Sequence, residues 1–195
     1  MRMATLLITV LTLAGCGLSP QLIQIHPELA RSADNIGQNQ AVRLAVVDQR
    51  SDQAFGTRGG VYKDTALIRP ANNLTAAVEA AVKQALQERG YNAYNPGDTG
   101  MTLDVRLKSL DYVPEAGSVV NRVEVNAVIQ SLAQNPAGDQ YTGTYKTGNT
   151  YEQPLTPSAA RNEQMINEVL QRALDKLLAD GKLHAFLTGQ ASGAE

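Results

Sequence analysis

The chain has one cysteine, no tryptophan, two phenylalanines and two histidines among its 195 residues. A single thiol cannot pair within the chain, so a disulfide scaffold is excluded. The two histidines, His26 and His184, lie far apart, and no His-x-x-x-His or Cys–His spacing suggests a zinc site. No metal or other cofactor is expected. Lys plus Arg number 17 against 19 Asp plus Glu, a net charge of −2. Without a basic excess there are few counterions to release from nucleic acid, so no nucleic-acid partner is expected. The shortage of Trp and Phe also leaves little for stacking sugars or bases. Only one apolar run stands out, which excludes a polytopic membrane protein.

That run is at the N-terminus. Arg2 is a minimal positive region, and residues 4–13 are apolar over about ten positions, too few for a span of roughly 20. Leu13-Ala14-Gly15-Cys16 follows. Small residues at Ala14 and Gly15 suit an extended backbone entering a peptidase cleft. The tetrapeptide resembles the bacterial lipobox at every position. The resemblance implies cleavage between Gly15 and Cys16, diacylglycerol on the Cys16 sulfur and acylation of the new amine. One acyl chain holds a bilayer only marginally, with an association constant of about 10⁴ M⁻¹, whereas several hold firmly. Gly17 stands where enteric lipoproteins retained in the inner membrane often carry Asp, which points to the outer membrane. Loss of residues 1–15 removes Arg2 and no acid, leaving 16 basic and 19 acidic groups, a net −3. The expected membrane partner is therefore reached through acyl chains rather than through charge.

The expected organisation is a signal peptide over 1–15, a lipidated cysteine and tether over 16–40, an α+β domain over 41–188 and a flexible tail over 189–195. Pro20, Pro27 and Gly37 favour the tether, while Leu22 to Ile25 could instead pack on the domain edge. Val42 to Val47 reads as a buried strand, and Val61 to Ile68 as a second. Leu74, Val78, Ala81, Val82, Ala85 and Leu86 recur at helical spacing, with Asn72 or Asn73 as cap and Gly90 as stop. Tyr91 to Tyr94 is a short strand candidate. Met101, Leu103, Val105 and Leu107 alternate with polar residues, as do Val123, Val125, Ala127 and Ile129. With Tyr141 to Tyr151 they predict a three-stranded meander. Thr156-Pro157 predicts the start of a second helix striped by Ile166, Val169, Leu170, Ala173, Leu174, Leu177 and Leu178. The fold class is α+β: a single mixed, mostly antiparallel sheet with two amphipathic helices on one face.

Candidate chemistry is sparse, and no catalytic residues are assigned. Gly56-Thr57-Arg58-Gly59-Gly60 lacks the Gly-Lys-Ser/Thr of a phosphate loop and reads as a flexible turn. His184 sits in an apolar turn, where bonding a helix-end carbonyl is its plain role. Tyr141, Tyr145 and Tyr151 share one strand face and could stack a ligand or pack under a helix. Asp48, Arg50 and Asp52 would share a face of an extended segment. Such a group is either a structural clasp or a spot for binding a partner.

Several segments together resemble the YajG family of bacterial lipoproteins: Leu13 to Cys16, the run Asp48-Gln49-Arg50-Ser51-Asp52-Gln53-Ala54, Arg89-Gly90-Tyr91, and Leu183-His184-Ala185-Phe186. The order of elements follows the same family over nearly the whole chain. The resemblance implies a lipid-anchored envelope protein of Gram-negative bacteria with no assigned activity and no catalytic residues. The expected function is a non-enzymatic module that binds or assembles with an envelope protein. A carrier of a small lipid or cell-wall fragment is the alternative, and a hydrolase ranks third.

Overall fold

The computed structural model describes residues 19–190 apart from 33, 61–62, 98–99 and 116–120. The described chain builds seven strands in one mixed sheet and three helices, an α+β fold. The strands are β1 (Gln21–Ile23), β2 (Arg43–Asp48), β3 (Gly56–Thr57), β4 (Leu67–Pro70), β5 (Thr102–Glu115), β6 (Asn121–Gln134) and β7 (Gln140–Gln153). The helices are α1 (Leu74–Glu88), α2 (Ala159–Leu178) and α3 (Gly181–Leu187).

The meander of β5, β6 and β7 is the frame. Its antiparallel register runs from Thr102↔Gln134 to Glu115↔Arg122 and from Gln134↔Gln140 to Asn121↔Gln153. Alternation puts Leu103, Val105, Leu107, Val123, Val125, Ala127 and Ile129 on the helix-covered face, all buried. Between Leu107 and Ser109 the β5–β6 register shifts by one residue. The buried set then continues at Leu110 and Tyr112, so the bulge moves the apolar phase from odd to even positions.

The other flank of β5 is shared. β2 runs parallel to it from Thr102 to Leu107, and β3 meets it at Tyr112. Among the described residues β2 therefore has one strand neighbour, and it is not the buried strand expected. Val42 and Leu44 are buried, but Val47 is 40% exposed. Within the segment 61–68, residues 63–66 are turn and bend and β4 begins at Leu67, while Gly56–Thr57 is a strand inside the expected loop. Tyr91 to Tyr94 contributes one isolated bridge, Ala41↔Asn92, in place of a strand.

α1 forms where expected. Asn73 Oδ1 accepts from Ala76 N at 3.0 Å as the N-cap. At the other end Tyr91 N donates to Leu86 O and Gly90 N to Gln87 O, closing a Schellman motif. Gly90 has φ +82°, and a Cβ there would collide with Asn35 Oδ1. α2 starts two residues later than Thr156-Pro157 implied. Its cap is Ser158, whose hydroxyl reaches Arg161 N at 3.2 Å. Its apolar stripe is buried on β6 and β7, and α3 caps the end of the same layer.

Of the two readings of Leu22 to Ile25, packing on the domain edge is the one observed, and the described residues after it are no free tether. β1 pairs parallel with β4, and Ile23 and Ile25 are 0% and 1% exposed in the core. Beyond β1 the chain continues as a strap between α1 and α2. His26 and Glu28 line one open groove with α1 and another with α2. The strap has no ladder of its own, so side chains satisfy its backbone. Asn72 holds Ile25 N and O, while Asn167 holds His26 N and Gln24 O, all at 2.8–2.9 Å. Glu163 accepts from Gln24 N and Asp175 from Ala30 N.

Candidate functional site

The most specific polar run, residues 48–53, leaves the end of β2. Arg50 folds back on Asp48 in a two-point pair, Nε to Oδ1 at 2.9 Å and Nη2 to Oδ2 at 2.8 Å. Its guanidinium lies over the Phe55 ring, 5.0 Å from the centroid, and its side chain is only 5% exposed. Asp52 does not join this pair. It turns away to accept from Ala54 N at 2.8 Å, because the chain bends after Arg50 and the single extended face is lost. Burial pushes the Asp48 carboxyl up, but the Arg50 hydrogen bonds and charge outweigh it and hold the group below the ordinary carboxylate value. Asp48 and Arg50 thus latch β2 to the start of β3. Arg50 Nη1 and Arg58 Nε are buried without hydrogen-bond partners among the described residues.

Gly56-Thr57-Arg58-Gly59-Gly60 is less free than a flexible turn. Gly56 has φ +152°, and a Cβ would strike the Tyr112 carbonyl, so only glycine lets β3 approach β5 this closely. Thr57 Oγ1 donates to Lys63 O at 2.7 Å and closes the turn.

The tyrosine face packs under helices. Tyr141 and Tyr145 hydroxyls both donate to Asp180 Oδ2 at 2.7 Å, and Tyr151 donates to Glu168 at 2.9 Å. Asp180 is also the N-cap of α3, accepting from Lys182 N and Leu183 N. Burial alone would raise its carboxyl, but two phenols and two backbone N–H groups favour the charged form and keep it below the ordinary value. Burial, with the carboxylate beside it, pushes Tyr141 up to about 12.

His184 is buried and doubly bonded. The Leu178 carbonyl can only accept, so Nε2 carries the proton in that 2.8 Å contact. In the neutral ring Nδ1 then accepts from the Tyr91 hydroxyl at 2.8 Å. Burial raises Tyr91 to about 12, which keeps it a donor. The pair fastens α3 to the segment after α1, and neither ring faces a cleft with a nucleophile.

Among the described residues the hydrogen bonds of His184, Asp48 and Asp180 build no buried acid–base pair with a nucleophile beside it. Among the described residues no group of three or more His, Cys, Asp and Glu could hold a metal ion. The larger described groove, about 690 Å³ between strap and α1, is open and carries His26, Glu28, Arg31, Gln84 and Glu88. The apolar stripes of α1 and α2, which a lipid carrier would have to part, are closed against the sheet. What remains accessible is sheet. β7 ends the strand order and pairs along one side only among the described residues. Its outward side chains include Thr142, Thr144, Lys146, Thr150 and Glu152, all exposed. Sequence reasoning missed Asp180, Asn72 and Asn167 as organising polar groups. Asn72 and Asp180 stand just before helices, where capping is the only signal, and Asn167 lies in the middle of α2 with no local signal at all. Gly15 and Cys16 lie outside the described residues, as does most of the expected flexible tail.

Among the described residues no helix is long and apolar enough to cross a membrane. Solved structures similar to this chain are distant in sequence. A Xanthomonas campestris protein of the family DUF330 is 14% identical, with 88% of this chain and 97% of that one covered and a TM-score of 0.49. A neuraminyllactose-binding hemagglutinin homolog from Helicobacter pylori is 8% identical over 88% of this chain and 100% of that one, with a TM-score of 0.50. A minor lipoprotein from Acinetobacter baumannii is 8% identical over 75% and 94%, with a TM-score of 0.42. No curated protein matches the sequence. A family model described as uncharacterized lipoprotein matches residues 27–188, which take in the strap, the sheet from β2 onward and all three helices, and the chain belongs to that family of YajG-type bacterial lipoproteins.

Proposed function

We propose that this lipoprotein is anchored through acyl chains on Cys16 at the periplasmic face of the outer membrane, and that it binds another envelope protein rather than catalysing a reaction. The Leu13-Ala14-Gly15-Cys16 motif and Gly17 support the address. The observation that carries the binding role is β7, fourteen residues long and paired on one side. Such an edge offers unpaired N–H and C=O groups to an incoming strand. It is partly guarded, since Lys176 Nζ donates to Lys146 O at 2.7 Å, so an incoming strand fits best on either side of that point. The contacts of Tyr141 and Tyr145 with Asp180 and of Tyr151 with Glu168 tie that edge to α3 and α2.

Two measurements test this reading. Mass spectrometry of the mature N-terminus should find an acylated Cys16, with the protein in outer-membrane fractions. Photo-crosslinkers at Thr144 and Thr150, in cells that make the protein at native level, should each trap the same discrete envelope protein. Absence of any adduct from both positions, with correct fractionation, refutes the binding role and leaves the anchor standing.

A further inference from the structure

We infer that one end of the sheet, bearing Leu22 and Leu155, lies against the bilayer that holds the acyl chains. The inference rests on acylation of Cys16 as proposed above, and it adds an orientation to it.

The first step is the length of the leash. Five Cα steps separate Cys16 from Gln21, and an extended chain covers at most about 3.3–3.6 Å per residue, so the reach is about 18 Å or less. The acylated residue sits at the edge of the hydrocarbon, and each headgroup layer is about 5–7 Å thick, half the difference between the whole bilayer and its core. Roughly 11 Å is left to the first residue that is fixed in the fold. Because the expected tether is instead a strand and a strap, the domain has no slack with which to stand off.

The second step is which end faces down. β1 is parallel to β4, β4 antiparallel to β3, and β3 parallel to β5, so β1 runs opposite to β5. β7 runs in the same direction as β5, through two antiparallel pairings. The chain therefore enters at the end where β5 finishes at Glu115, β7 finishes at Gln153 and α2 begins. Gln21 Oε1 accepts from Asn162 Nδ2 at 2.6 Å and ties the entry point to the first turn of α2.

The third step is what that end displays. Leu22 is 63% exposed and Leu155 is 77% exposed, more than any other exposed large apolar side chain in the described chain. Val113, near the end of β5, is exposed as well. Tyr94 and Ile36 lie at the opposite end, beside the start of β5 and the C-terminus of α1. Arg69 is the ladder neighbour of Leu22, so a guanidinium stands beside the apolar side chain at headgroup depth. The same end also carries Glu115 and Glu152, so the contact depends on burying apolar side chains and needs no anionic lipid.

The test uses the full-length acylated protein in vesicles of phosphatidylcholine and phosphatidylethanolamine. Single cysteines replace Leu22, Leu155 or Tyr94 and carry an environment-sensitive fluorophore; the Cys16 sulfur is blocked by its acyl group. A shallow lipid-borne quencher should act several-fold more strongly at positions 22 and 155 than at 94. A flexible Gly/Ser insert of about twenty residues between Leu18 and Ser19, with a root-mean-square span of about 25 Å, should bring all three to the same low level. Equal quenching at the three positions in protein that floats with the vesicles overturns the orientation and spares the anchor. Protein that neither floats nor carries acyl mass overturns both.

Discussion

The meander and the strap are ordered by opposite means. In β5 to β7 the facing edges of neighbouring strands pair their backbone groups in continuous ladders, and apolar side chains from every second residue fill one face. In the strap the backbone has no neighbouring strand beyond Ile23, and its polar groups at residues 24–30 are satisfied by Asn72, just before α1, and by Glu163, Asn167 and Asp175 of α2. The meander is held by area, which is distributed and tolerant. The strap is held by a few bonds, each of which leaves a partly buried donor or acceptor stranded when lost. In a domain built this way the strap is expected to be the weaker cooperative unit.

Three substitutions can break or sharpen this contrast. The largest effect is expected in the meander. Ile129 is 1% exposed at the centre of β6, and Ile129→Ala should cost about 2–5 kcal/mol through lost burial and a cavity. Chemical denaturation should show one lowered transition for the whole domain. A fall below about 1 kcal/mol would mean that the meander is not the stabilising frame.

Asn167→Ala comes next, at about 1–3 kcal/mol, since it strands His26 N and Gln24 O together. Its signature should be local. Hydrogen exchange should speed up through residues 24–30 while β6 amides keep their protection. Uniform acceleration across the domain would show that strap and meander open as one unit.

The smallest effect concerns pH. Asp180 has a folded-state pKa below 3.8, so its contribution to stability is fully present above that unfolded value. It is lost as pH falls through the lower folded value. The wild type should therefore lose stability below about pH 4, and Asp180→Asn should flatten that limb while lowering stability at neutral pH. Thermal melts of both proteins between pH 2 and 7 measure it. Identical acid limbs would remove Asp180 as the group linking α3 to the tyrosine face.

Much of this was legible in the residues. Leu103, Val105 and Leu107 announce a half-buried strand, and Asn73 with Gly90 brackets α1. These signals are local, because strand alternation and helix capping involve partners a few positions apart. Apart from the open possibility that Leu22 to Ile25 packs on the domain edge, the strap was not legible. Its bonds join residues 47 to 145 positions apart, and Pro20, Pro27 and Gly37 look the same in a free linker as in a pinned one. The Asp48 to Gln53 run was visible as polar and specific, yet the choice between Asp48 and Asp52 as the Arg50 partner depended on a bend that no periodicity encodes.

From its residues alone, the chain determined where β5 and β6 alternate, where α1 begins and ends and where α2 begins within two residues, and that one cysteine follows a small-residue pair. Those features rest on steric and hydrogen-bonding preferences acting over one or two turns. Tertiary structure alone decided that β2 and β3 divide the flank of β5, that Asp180 gathers two phenols, and that residues 24–30 are pinned to the folded body. Each of those depends on which distant groups arrive at the same place when the apolar faces close, and that is a property of the whole packing rather than of any segment.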